Sequence, residues 1–381
     1  MKKLRQKTYY DEMLTYEKAL STFYKVKKNC KNKRAVCEFY IKLNCNLLNI
    51  LQILKDRNYV FSKYRIFLIT DPKYRIIMSE NINDKIVNHM VSRYILLPAL
   101  ESKLIDTNVA TRIGRGSRYA FETFNKYLKA LLYQNKEIYV LKLDIKKYFY
   151  NIDHEILFNM IKRYIKEEDS LEIIKHIISL TNEDYVNKDI YYLKRNMINY
   201  IRKSKMTDNE KSIKLKQIND IPYYKNGKGL GIGNQTSQIL AIFYLNDVDH
   251  YIKEELNFKY YLKYMDDLLI IDTDKEKLEN AFKLIEKEIN KLKLELNSKS
   301  NLYKMSKGIS FLGYKFLIKE NKIIIKYNNQ TIRRIDKRLR NLKKYDEELY
   351  EKSYGSYQGY FKYSNTSLKN KYLKNLNIND S

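Results

Sequence analysis

The stretch Phe258–Ile271, FKYYLKYMDDLLII, carries apolar and aromatic residues on both sides of Met265-Asp266-Asp267. That pattern reads as two short strands joined by a tight turn, with the acidic pair at the turn. Upstream, Glu137–Asp144, EIYVLKLD, is β-branched and apolar and reads as a buried strand that ends on an aspartate. Helical patterns near 154–165 and 170–180 follow it. Residues 183–227 are rich in Lys, Asn and Tyr with weak apolar periodicity, and are expected to form a surface insertion. A glycine-punctuated turn from Gly227 to Gly233 then leads into an apolar helix, Ser237 to Glu255. After the hairpin, Leu278, Ala281, Phe282, Ile285, Ile289 and Leu292 fall on one helical face. The order strand, helices, hairpin, helix, strand is that of a split βαβ, ferredoxin-like core, which puts the chain in the α+β class.

Outside this core, residues 10–58 are mostly helical in pattern, with Leu47, Leu51 and Leu54 at helical spacing. A β-like piece, 64–69, turns at Asp71-Pro72. Amphipathic helices follow at 83–104 and 118–133, separated by Gly114-Arg115-Gly116. From Thr331 onward the pattern is a basic helix and a Tyr-rich tail. With 3 Pro and 10 Gly in 381 residues, no Pro/Gly-rich linker divides the chain.

The hydrophobic fraction of 44% is that of a globular protein and excludes a disordered basic tail. Lys and Arg total 73 against 45 Asp and Glu, a formal charge of +28. So positive a protein repels itself unless it meets a polyanion, and a phosphate backbone is the usual partner. An AT-rich genome would raise the lysine count too, but it does not account for the shortage of acids. Cys30, Cys37 and Cys45 are odd in number and lie on a helical pattern, as free thiols in a reducing compartment do. The start, MKKLRQKTYYDEM, has no apolar signal-peptide core, and no apolar run reaches membrane-spanning length. The expectation is a cytoplasmic protein with no membrane partner.

Asp144 ends one apolar strand, and Asp266 and Asp267 occupy the turn of a later hairpin. A lone Asp-Asp pair in a turn is common and by itself points to turn geometry. An Asp pair inside an apolar hairpin, with a second Asp-tipped strand upstream, is far more specific. Adjacent strands in a βαβ core set Asp144 against Asp266. Carboxylates gathered at strand ends suit Mg2+, a hard cation that takes few protein ligands because phosphates and water fill the rest. Nucleotidyl transfer uses two such ions.

At this point the residues resemble a known family. Leu143-Asp144-Ile-Lys-Lys-Tyr-Phe149-Tyr-Asn-Ile-Asp153-His154 resembles motif A of bacterial reverse transcriptases, and Tyr264-Met-Asp-Asp267 resembles their motif C. The resemblance runs from about Lys73 to Lys344 and preserves motif order. It implies a right-hand polymerase fold: a helical extension over 1–60, fingers over 61–135, a palm over 136–318 and a small helical thumb with its tail over 319–381. It also implies RNA-directed DNA synthesis with two Mg2+ ions, or Mn2+, held by Asp144, Asp266 and Asp267. Template RNA, an RNA–DNA duplex and dNTPs would be its partners, with an accessory protein as a further one. Lys73 and Arg75 resemble the basic finger strand that grips the triphosphate. Phe149 matches the steric gate against a ribose 2′-hydroxyl. Lys299 matches the lysine that protonates pyrophosphate, a general acid. Phe311–Phe316 resembles the support of the primer terminus, and the basic segment Arg333–Arg340 the thumb helix along the duplex.

The segment Gly229-Leu-Gly-Ile232-Gly233-Asn-Gln-Thr-Ser237-Gln238 narrows the family. Group II intron and retron enzymes usually carry Gln where Ile232 stands and Pro where Gln238 stands. The altered pattern, with Arg115-Gly-Ser-Arg-Tyr-Ala120, is similar to that of diversity-generating retroelement enzymes, which copy with adenine-directed errors. Ile232, Gly233 and Gln238 would then line the nascent base pair. The length of 183–227 departs from that subfamily, which leaves a defence-associated (antiphage) or other unclassified bacterial reverse transcriptase as the alternative. An RNA-dependent RNA polymerase is disfavoured by Phe149 and Tyr-Met-Asp-Asp. A catalytically dead RNA-binding scaffold is disfavoured by the intact aspartates. After the thumb only a few dozen residues are expected, too few for an RNase H domain, and no His/Cys cluster suggests an appended endonuclease.

Overall fold

The structure, a computed structural model, describes residues 8–30, 32–71 and 73–361. Pro72 of the expected Asp71-Pro72 turn and the tail beyond Phe361 lie outside them. The chain divides into two compact units. The first holds the described residues up to Thr111 together with Ile145–Tyr251 and Glu286–Leu296. The second holds Arg112–Asp144, Ile252–Ile285 and the described residues from Asn297 on.

In the first unit, helices Tyr9–Met13, Tyr16–Asn29, Lys33–Ile41 and Leu43–Lys55 open the chain. Side-chain caps start the first three: Thr8, Thr15 and Asn32 each accept a backbone N–H in the first turn. Met13, Ala19, Phe23, Leu47 and Leu54 are fully buried on their inner faces. Strands β1 (Arg65–Ile69) and β2 (Arg75–Ser79) form an antiparallel ribbon in which Ile69 faces Arg75. A single helical run, Ile82–Lys103, follows, with a π-helical turn at Ser92–Leu96.

The stretch 183–227 is not the surface insertion its composition suggests. It forms helices Asp184–Lys203 and Asp208–Asn219, and Val186, Ile190, Ile201, Ile218, Ile221 and Tyr224 are buried in one cluster with Ile76 and Met78 of β2. Val186, Ile190, Met197 and Ile201 keep helical spacing. Charged residues and the exposed Tyr191, Tyr192 and Tyr200 stand between them and dilute that spacing in the sequence. Lys194 is buried, its ammonium donating to the Ile221 carbonyl at 2.8 Å.

The second unit contains the sheet that carries the acidic residues. Strands β3 (Tyr139–Asp144), β4 (Tyr261–Tyr264), β5 (Asp267–Asp272) and β6 (Asn301–Lys304) assemble in the order β4-β5-β3-β6, all neighbours antiparallel. This is the ferredoxin-like order, in which the hairpin strand β5 lies against β3. Val140, Leu141 and Leu143 of β3 and Leu268–Ile271 of β5 are fully buried, so both faces of the sheet centre are covered. A second sheet, β7 (Ile309–Phe311), β8 (Tyr314–Lys319) and β9 (Lys322–Tyr327), is a three-stranded meander. Helix Ser117–Leu132 sets Phe121 against Tyr314 with ring centres 4.9 Å apart and Phe124 against Phe316 at the same distance. The basic helix runs Asn329–Tyr345; Ile335 and Leu339 are buried, and Arg333, Arg334, Lys337, Arg338 and Arg340 are exposed.

Candidate active site

The Asp-Asp hairpin is a two-residue loop. Tyr264 pairs with Asp267 at the last rung, so only Met265 and Asp266 turn the chain. Met265 has φ +58°, a left-handed conformation that costs a side-chain-bearing residue on the order of 1–2 kcal/mol. The tight loop fixes Asp267 as the first residue of β5, where its register partner on β3 is Asp144. The expected opposition of Asp144 and Asp266 is therefore corrected: Asp144 faces Asp267, and Asp266 sits one residue earlier in the loop. All three are half-buried.

The tip of β3 extends past the ladder of β6 and is held by the segment before it. The Asp144 N–H donates to Ser300 Oγ at 3.0 Å, the Ser300 hydroxyl donates to the Asp144 carbonyl at 3.2 Å, and the Asn297 N–H donates to the same carbonyl at 2.7 Å. Lys299 lies in this turn with its side chain exposed, its N–H donating to Asn297 Oδ1 and its carbonyl accepting from Tyr303. The turn that ties Asp144 down is thus the one that carries Lys299.

Sequence reasoning missed Lys142. It lies two residues before Asp144 on β3, hence on the same face, and its ammonium is 3.1 Å from Asp267 Oδ1. It also donates to the Ser310 carbonyl of β7 at 3.3 Å. The period-2 geometry of the strand was the available signal.

In the first unit, the glycine-rich segment is clamped to two neighbours. The Met78 N–H of β2 donates to the Ile232 carbonyl at 2.9 Å, and the Leu230 N–H donates to the Phe149 carbonyl at 2.8 Å. The Gly229 carbonyl accepts from Thr181 at 2.8 Å and meets His154 Nε2 at 2.6 Å. Burial pushes the His154 imidazole down, and as the neutral ring it donates through Nε2. Gly233 has φ +132°, and a Cβ there would lie 2.7 Å from the Met78 carbonyl oxygen. Asn234 donates to the Tyr64 hydroxyl at 2.8 Å, and Thr236 to Asn88 Oδ1 at 2.6 Å. Ile232, Phe149 and Gln238 are half-buried; Lys73, in the turn between β1 and β2, and Arg75, opening β2, are exposed with Gly233. Ile232 and Phe149 thus sit on segments bonded to one another through Leu230.

The donor set of Asp144, Asp266 and Asp267 is all oxygen, which suits Mg2+ or Mn2+. Among the described residues no group of three or more His, Cys, Asp or Glu is arranged to hold an ion by protein ligands alone. The residues fit a cation whose shell is completed by phosphate and water, as Mg2+ prefers. Among the described residues, no helix is long and apolar enough to cross a membrane.

A family model described as reverse transcriptase (RNA-dependent DNA polymerase) matches residues 69–316, well over half of the chain. Among solved structures, apo telomerase from Candida tropicalis, truncated from its C-terminal domain, aligns at 14% identity and a TM-score of 0.45, covering 70% of this chain and 55% of that one. Telomerase from Candida albicans in complex with a fragment of telomeric RNA aligns at 13% identity and a TM-score of 0.42, covering 82% of this chain and 49% of that one. The chain spans about half the length of these structures. No curated protein sequence matches it.

Proposed function

The chain belongs to the reverse transcriptase (RNA-dependent DNA polymerase) family, with its right-hand polymerase fold, and from that premise we propose that it copies RNA into DNA at Asp144, Asp266 and Asp267. The observation that carries the reading is the register of β3 on β5, which opposes Asp144 and Asp267 at the strand ends beside the Asp266 turn. Two Mg2+ or Mn2+ ions, when bound by these carboxylates, would activate the primer 3′-hydroxyl and neutralise the triphosphate. Lys73 and Arg75 offer charge-assisted hydrogen bonds to the triphosphate. Phe149 excludes the ribose 2′-hydroxyl. Lys299 gives a proton to the departing pyrophosphate. Ile232, Gly233 and Gln238 contact the nascent pair, and Gly233 leaves room for close approach of its backbone. Fingers over 61–135, palm over 136–318 and thumb with tail over 319–381 are the proposed division. Template RNA and the RNA–DNA duplex are the proposed partners, with an accessory protein beside them.

The subclass we propose is the diversity-generating retroelement type, which makes error-prone cDNA. Ile232 supports it: where a glutamine amide could hydrogen-bond to the nascent pair, isoleucine offers van der Waals contact alone. The helices at Asp184–Asn219 favour the second reading, a defence-associated enzyme, because they lengthen the segment between the two motifs. One experiment addresses both levels: deep sequencing of cDNA made by the purified protein on a defined RNA. Wild type is expected to make DNA with errors concentrated at template adenines, and Asp144→Ala to make none. Absence of cDNA from wild type overturns the polymerase reading. Uniformly low error overturns the retroelement reading and puts the defence reading first.

A further inference from the structure

Asp144 and Asp267 face each other at the ends of β3 and β5, and Lys142 stands two residues before Asp144 on the same strand. Its alternation with Asp144 on β3 directs both side chains to one face, and its ammonium reaches Asp267 Oδ1 at 3.1 Å. A second donor goes to the Ser310 carbonyl at 3.3 Å, on the β7–β8 hairpin. The Lys142 and Asp267 side chains are 21% and 30% exposed, so the pair is shielded enough to matter and open enough to exchange. Asp144 has no such freedom in its backbone, which is pinned by Ser300 and Asn297.

We propose that Lys142 is a positioning residue of the carboxylate centre: its ammonium holds the Asp267 carboxylate in place and competes with a divalent cation for it. The proposal rests on the polymerase reading above. Lys142 lowers the net negative charge of the centre by one unit, so the centre takes up its cation weakly until triphosphate oxygens arrive to share it. The bond to Ser310 fixes where the ammonium stands and joins the catalytic strand to the second sheet through one side chain.

The test is Mn2+ binding to the full chain without nucleotide, read by electron paramagnetic resonance of free Mn2+. Wild type, Lys142→Met, Lys142→Arg, Asp267→Asn and the Lys142→Met/Asp267→Asn double variant are compared, with Asp144→Ala as control. Lys142→Met is expected to bind Mn2+ at least about threefold more tightly than wild type, a modest share of what one nearby unit charge can do. Lys142→Arg, which keeps the charge, should match wild type. In the Asp267→Asn background Lys142→Met should gain clearly less than it does in wild type, because the ion pair is already gone and only the field of the ammonium remains. Should Lys142→Met lose its native circular dichroism, Lys142→Gln, which keeps a donor for the Ser310 carbonyl, is measured instead with the same expectation. Wild-type or weaker affinity in the lysine variant, with Asp144→Ala still abolishing binding, overturns the proposal and leaves the polymerase reading intact. No Mn2+ binding by wild type or by Lys142→Met overturns the proposal, whereas the polymerase reading falls only if wild type makes no cDNA.

Discussion

Phe149 is held by its own backbone before its ring does anything. Its carbonyl accepts the Leu230 N–H at 2.8 Å, and its ring stands 5.9 Å from that of Tyr148, whose hydroxyl bonds the Ala241 carbonyl. On the proposed reading this ring is the gate against a ribose 2′-hydroxyl. Phe149→Val should therefore raise the ratio of rNTP to dNTP incorporation by roughly tenfold or more, the size of effect that one pocket group carries. An unchanged ratio in primer extension would leave Phe149 as a packing residue. Glu80, at the end of β2, makes a different point about a single residue. Burial, reinforced by Asp84 and opposed by Lys85 and Asn88, pushes its carboxyl up to about 8 from the ordinary 4.5, and Oε1 has no hydrogen-bond partner. An acid bound more tightly by its proton in the folded state stabilises that state fully below about 4.5, and the contribution is lost as pH climbs through about 8. Glu80→Gln should remove this loss and be more stable than wild type above pH 8, by on the order of 1–3 kcal/mol. Urea denaturation at pH 6 and pH 9 measures it, and parallel pH dependence in the two proteins would refute it.

Among the elements, the glycine-rich segment is the one whose geometry is most constrained. It runs from Gly227 to Asn234, is bonded to β2 through Ile232 and to the segment after β3 through Leu230, and turns at Gly233 in a conformation open to glycine. Gly233→Ala meets both the strained φ and the Met78 carbonyl 2.7 Å away, so backbone must move. A loss of about 1–3 kcal/mol of stability is expected, with a lower melting temperature. An alanine variant as stable as wild type would show that the segment adapts freely. The helices at Asp184–Lys203 and Asp208–Asn219 teach the opposite lesson about legibility. In the first helix the apolar spacing was present in the chain but stood among exposed tyrosines, and the second buries only Ile218, so its sequence carries no amphipathic pattern.

For the molecule as a whole, the formal charge of +28 sets the expected behaviour toward nucleic acid. The exposed arginines and lysines of helix Asn329–Tyr345 give that charge a continuous face. Binding to an RNA–DNA duplex should release several counterions, so affinity should fall about 10³-fold between 50 and 200 mM salt. Fluorescence anisotropy over that range measures the slope. A flat response would mean that the lysines are solvated surface with no polyanion groove. Removing divalent cations should leave this binding intact, since the carboxylates hold no phosphate by themselves.

The order of elements, the Asp-tipped strand, the acidic hairpin and the glycine turn were legible in the sequence, because each depends on local periodicity or on turn chemistry within a few residues. So were the residue types of the candidate site, since hard-cation and phosphate chemistry demands carboxylates and cations whatever the fold. Tertiary structure alone decided which aspartates meet. Whether Asp266 or Asp267 opposes Asp144 depends on a two-residue loop and on the register of strands far apart in the chain, and a slip of one residue would have turned β5 over. The same register brought Lys142 to Asp267, and only folding the chain buried Glu80 with its Oε1 unbonded. Strand register and the burial of a single polar side chain are properties of the assembled sheet and core, which local periodicity does not fix.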